Sequence, residues 1–223
     1  MFLLPFNKDD SPVSTGWVLL SLILANTAIL IWAEVHSSIA SIATTYGFVP
    51  AAPRFSTAVG AMFLHAGWLH LIGNMWFLWM FGRRVEARLG GLRFLIVYLI
   101  CGLGGQALHL AFNHSSTVPA VGASGAISGV AGLYYVFFPR SKFDLDLYLG
   151  WWNVKTWETR TRGAVGAWVA EQAILGVLTS SFHGSGIAFW AHVGGFTTGV
   201  ILAAIAARLL RLDWEYAASG HAD

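Results

Sequence analysis

From Phe55 to Gly82 the chain carries no Asp, Glu, Lys or Arg. A run of that length and polarity is at home in the hydrocarbon of a bilayer, which a helix of about 20 residues crosses. Its first residues are best assigned to the preceding connection, leaving a span at about residues 62–82. Similar stretches fall at about residues 16–33, 94–112, 122–138, 163–182 and 186–207. Only 11% of the residues are charged, less than half of the roughly 25% usual in soluble domains. The 11 Trp and 15 Phe suit the aromatic belts of a membrane protein. In lipid the backbone must satisfy its own hydrogen bonds, and runs this long do so as helices. The expected fold is therefore an all-α polytopic membrane protein, one membrane domain over residues 1–223 with six transmembrane helices.

Loop charges orient the bundle. Lys8 precedes the first span. Arg83, Arg84, Arg88 and Arg93 separate the second and third. Arg140, Lys142, Lys155, Arg160 and Arg162 separate the fourth and fifth, and Arg208 and Arg211 follow the sixth. Twelve basic residues thus fall on one side, and Arg54 alone on the other. Basic loops stay in the cytoplasm, so both termini are expected there, and an odd number of spans would destroy the asymmetry. Residues Met1 to Asp10 lack a basic region ahead of a short apolar core, so the first apolar run is expected to be retained rather than cleaved. The single cysteine, Cys101, cannot form an internal disulfide. In the loop at residues 139–162, Asp144-Leu145-Asp146-Leu147 alternates, and Trp151, Trp152 and Trp157 suggest a segment lying at the interface.

Within this apolar chain a few polar residues stand out. Val121-Gly122-Ala123-Ser124-Gly125-Ala126-Ile127-Ser128-Gly129 is almost entirely small. Small residues let helix backbones approach closely, which places this segment at the centre of the bundle. Ser124 falls at a helix N-terminus near the outer face, where free N–H groups and the helix dipole favour negative charge. His192 is several residues into the sixth span, with Gly195 and Gly199 making a second close-packing ridge beside it. The second span holds His65, His70 and Asn74, and the last two share one face a turn apart. Polar groups in the membrane usually face the bundle interior. A serine needs an adjacent base to become a nucleophile, and a neutral histidine can supply one. An oxyanion needs preorganised donors, and His70, Asn74 and the Ser124 N–H are available. No acidic residue lies near these outer ends, so a Ser–His dyad is expected rather than a triad. Glu171 enters its span from the cytoplasmic end and has no assigned role. Each residue also has a structural reading: a packing serine bonded to its own backbone, and histidines bonded across helices. No HExxH pattern occurs and the cysteine is alone, so neither a metal nor a cofactor is expected.

These residues resemble the rhomboid family of intramembrane serine proteases from Phe63 to Gly199. The motifs are His65-xxxx-His70-xxx-Asn74-Met75, Gly122-Ala123-Ser124-Gly125 and Ala191-His192-xx-Gly195-xxx-Gly199, with Arg83 to Gly90 similar to the family's loop after the second span. The resemblance implies a protease that cuts transmembrane segments of other proteins near their outer ends through a covalent acyl-enzyme. Ser124 would be the nucleophile and His192 the base. His70, Asn74 and the Ser124 backbone would hold the oxyanion, with His65, Gly122, Gly125, Gly195 and Gly199 in support. It also implies that the fifth span gates lateral substrate entry, and a basic six-span form in a bacterial inner membrane. Pro53 precedes Arg54 where the family has a tryptophan, and Ser128 stands where some members have a tyrosine stacked on the catalytic histidine. The expected partners are transmembrane-segment substrates and the lipid bilayer, with no nucleic acid. Two other classes fit parts of the pattern: a non-catalytic binder of transmembrane helices, and a small transporter. A transporter predicts inverted repeats and a polar path through the whole membrane, whereas the polar residues here gather near one face.

Overall fold

The computed structural model describes residues 2–7, 16–149, 152–179 and 187–209. It is mostly helical. In chain order the elements are β1 (Phe2–Asn7), α1 (Trp17–His36), α2 (Ile39–Tyr46), α3 (Phe55–Gly60), a 3-10 turn (Ala61–Phe63), α4 (Trp68–Leu89), α5 (Gly91–Asn113), α6 (Ser124–Phe137), β2 (Lys142–Leu149), β3 (Trp152–Arg160), α7 (Thr161–Thr179) and α8 (Phe189–Leu209). Among the described residues, three helices are each long and apolar enough to cross a membrane: α1, α5 and Phe189–Arg208 of α8. The pair Phe55–Phe63 and α4 makes a fourth if counted as one span, bent by 89° at its break.

That break corrects one expectation. The span at residues 62–82 predicts one helix carrying His65, His70 and Asn74. The helix in fact starts at Trp68, and His65 sits in the connection before it. Gly67, at φ +145°, turns the chain there, a backbone geometry few residues other than glycine tolerate. Hydropathy carries no record of direction, so a continuous apolar run can hide a sharp corner.

α6 is the axis of the bundle. Every residue from Gly125 to Tyr134 is buried, and the helix packs against α4, α5, α7 and α8. Its 14 residues span only about 21 Å. The contact with α8 is the closest. A methyl placed on Gly195 or Gly199 would collide with the carbonyl oxygens of Gly125 and Gly129 respectively. Small residues here bring backbones together, as membrane helix pairs require when no hydrophobic force distinguishes protein from lipid.

α1 docks on the far end of α4. The buried Glu86 carboxylate accepts from the N–H groups of Val18 (3.0 Å) and Leu19 (2.8 Å). Two of the donors that every helix start leaves unsatisfied are thereby paired.

The other departure is a small sheet, where an all-α chain was expected. β1, β2 and β3 form an antiparallel sheet in that order. β2 pairs antiparallel with β3, from Lys142 opposite Arg160 to Leu149 opposite Trp152. The stretch expected to lie at the interface holds β2 and β3, with Trp151 outside the described residues. Phe143 on β2 is buried against the rings of Phe81 and Tyr134, which ties the sheet to the ends of α4 and α6. Asp146 accepts from the Thr156 hydroxyl at 2.6 Å. The Asp–Leu alternation has the period of a strand, sending successive side chains to opposite faces.

Candidate active site

The sequence starts a helix at Ser124 because Gly122 ends the preceding loop in a conformation other residues resist. Its φ is +132°, and its N–H donates to the Ala61 carbonyl at 2.9 Å, pinning the loop to the 3-10 turn. Ser124 is then the first residue of α6, half-buried, with no side chain capping the helix start. The first N–H groups of the helix lack intrahelical acceptors, which leaves an anion-favouring end beside the Ser124 hydroxyl.

α8 brings His192 to this point. Its Nε2 lies 2.8 Å from Ser124 Oγ. The glycine contacts between α6 and α8 permit that distance, since any side chain at Gly195 or Gly199 would push the helices apart. The other ring nitrogen, Nδ1, lies 2.7 Å from Oε1 of Gln172 on α7. One turn earlier, the Trp168 ring lies against the same imidazole, with centroids 5.9 Å apart at 32°.

His70 occupies the other side of Gly122. The Ala66 N–H donates to His70 Nδ1 in a long bond of 3.4 Å. A ring nitrogen that accepts carries no proton, so the proton of neutral His70 is on Nε2. A methyl at Gly122 would lie 3.0 Å from that Nε2 and 3.6 Å from Ser124 Oγ. Gly122 therefore leaves a gap flanked by an N–H donor and a hydroxyl. Asn74, one turn further along α4, is buried, and its Nδ2 finds no partner among the described residues. His65 packs edge-on against His70, with centroids 5.2 Å apart at 66°. Beside Ser124 a small cavity is lined by Met62, Gly102, Gln106, Ala188 and Ala191.

Neither Gln172 nor Trp168 belongs to the motifs that stand out in the sequence. Glu171 is exposed on α7. Ser128, in the position discussed for a stacking tyrosine, donates back to the Ser124 carbonyl at 2.6 Å and does not reach His192. The imidazole is held from α7 instead. The available signal was spacing: Trp168 and Gln172 are four apart, hence on one helix face, in a span where an uncharged polar side chain needs a partner.

Comparison with known proteins gives one family. The model of the Rhomboid domain matches residues 52–209, well over half the chain. RHOMBOID-like protein 2 of Arabidopsis thaliana is 32% identical over 157 residues, covering 70% of this chain and 44% of the relative. Rhomboid protein 1, mitochondrial, of Saccharomyces cerevisiae is 30% identical over 154 residues, covering 64% of this chain and 39% of the relative. Rhomboid protease GluP of Bacillus subtilis is 42% identical over 83 residues, covering 37% of this chain and 16% of the relative. The chain thus spans less than half the length of each of these relatives.

Proposed function

The chain belongs to the rhomboid family and is an integral membrane protein, and on that premise we propose that it is a serine endopeptidase that cleaves transmembrane segments of other proteins near their outer ends. The observation that carries this reading is the 2.8 Å approach of His192 Nε2 to Ser124 Oγ at the start of α6. In this mechanism the Ser124 hydroxyl attacks the scissile carbonyl carbon as His192 Nε2 takes its proton. The oxygen that becomes negative accepts from the Ser124 N–H, His70 Nε2–H and Asn74 Nδ2–H. As the C–N bond breaks, His192 returns the proton to the leaving amine. Water, deprotonated by His192, then attacks the acyl-enzyme and releases the serine. The cavity beside Ser124, lined largely by small residues, suits a small side chain at the cut. A substrate carbonyl bonded within its own helix is not free to enter, so the cleaved segment must unwind locally.

We read α1, the bent segment ending in α4, and α5 to α8 as six spans with both termini cytoplasmic. Supporting this, Glu86 joins the start of α1 to the arginine-bearing end of α4. A bacterial plasma membrane is the proposed location, on the resemblance to the six-span bacterial form, and cell fractionation tests it.

The decisive experiment uses the purified full chain and a model single-span substrate. Wild type should cleave it, and Ser124→Ala and His192→Ala should not. A fluorophosphonate should label Ser124 only when His192 is present. Equal cleavage by wild type and Ser124→Ala would overturn the proposal. Substrate capture without cleavage by all three would favour the non-catalytic binder.

A further inference from the structure

We propose that Gln172 is the positioning residue for His192, holding the imidazole in the tautomer that accepts the Ser124 proton. The inference rests on the protease reading above and assigns a role to a helix that carries none of the family motifs. A neutral imidazole has one N–H and one lone pair. An amide oxygen only accepts, so the 2.7 Å contact between Gln172 Oε1 and His192 Nδ1 is satisfied when the proton is on Nδ1. Nε2 then presents its lone pair to the Ser124 hydroxyl 2.8 Å away. With Oε1 facing the ring as here, the opposite tautomer would set two lone pairs against each other at Gln172 and turn an N–H toward the nucleophile, leaving no base.

Two further features point the same way. Ser128, which could have steadied the ring from α6, is committed to the Ser124 carbonyl. Trp168, on the Gln172 face of α7, packs against the ring. The histidine is therefore steadied by α6 through Ser124 and by α7 through Gln172 and Trp168. A neutral amide also suits the location. An ionised carboxylate at this depth would be costly, whereas glutamine orients the ring without a charge. On α7, Ile174, Val177 and Leu178 are exposed, and Gln172 belongs to its short buried stripe with Val165 and Gly176.

The test measures the tautomer directly. Full-length protein labelled with 15N at its eight histidines is examined in micelles by long-range proton–nitrogen correlation, with His192 assigned from the signals lost in His192→Ala. Wild type should show His192 protonated on Nδ1. Gln172→Met, close in length and volume, should lose that preference. Its turnover of a single-span substrate should fall about tenfold, with KM within twofold and thermal stability unchanged. Gln172→Glu, which keeps an acceptor oxygen at the same reach, should recover most of the loss. A wild-type His192 protonated on Nε2 overturns the proposal, as does a Gln172→Met protein with unchanged spectrum and turnover. If wild type neither cleaves nor labels, the protease reading fails, and the tautomer measurement still decides whether Gln172 orients His192.

Discussion

His70 and Gly122 are fitted to each other: a single methyl at Gly122 would stand 3.0 Å from His70 Nε2, and the glycine's φ of +132° is one that side chains rarely allow. The gap between them is where a substrate oxygen would lie in the proposed mechanism. Gly122→Ala should therefore act twice. Backbone strain of about 1–3 kcal/mol should lower thermal stability, and displacement of His70 should slow fluorophosphonate labelling of Ser124 by at least about tenfold. Thermal unfolding and labelling rate, measured on the same preparation, separate the two effects.

His70→Ala and Asn74→Ala should each lower kcat by about 10²–10³-fold, the loss typical of one oxyanion donor, with KM nearly unchanged. Steady-state kinetics on a single-span substrate provide the check. A change confined to KM would instead give these residues a substrate-binding role.

The α6–α8 contact should tolerate no added carbon. Gly195→Ala and Gly199→Ala drive a methyl into the carbonyls of Gly125 and Gly129, and overpacking of this kind costs about 1–3 kcal/mol. Activity should fall together with stability, because the same contact sets the distance between Ser124 and His192. Gly73→Ala is the contrast. Nothing lies within 4 Å of a carbon there, so it should unfold no more easily than wild type.

Glu86→Ala should destabilise the protein by about 1–2 kcal/mol, as loss of a helix cap does, and leave Val18 and Leu19 N–H groups without their acceptors. Glu86→Gln keeps one acceptor oxygen and should fall between the two. Denaturation of the three proteins in one detergent tests the order. The chemistry at Ser124 should be unaffected while the protein is folded.

Much of this architecture is legible in the residue order, for a physical reason. Lipid demands helices of a set length, so apolar runs announce where α1, α5 and α8 lie. Glycine at four-residue spacing announces a close helix pair, and Ser124 and His192 do lie on two such helices within hydrogen-bond distance. What escaped was geometry that hydropathy does not encode. The corner before Trp68 lies inside an uninterrupted apolar run, with Gly67 its one local mark. The sheet depends on β1 pairing with β2 from Phe2 opposite Tyr148 to Asn7 opposite Phe143, a register no local pattern specifies. The Asp144–Leu147 alternation carries the two-residue period of a strand, but it names no partner strand. Gln172 was overshadowed by its charged neighbour Glu171, although the uncharged residue is the buried one. In a membrane core an uncharged polar side chain is the cheaper means of orienting a partner, and it is also the harder one to notice.

The Glu86 cap also sets a timetable. The carboxylate that closes the start of α1 lies 68 residues beyond Val18 in the chain. At roughly 5–20 residues per second, the ribosome delivers it about 3 to 14 seconds after the amides it binds. For that interval α1 lacks the Glu86 acceptor for these N–H groups. Its final seat in the bundle is therefore taken only after α4 has emerged, so α1, although made before α4, is not fixed in place before it.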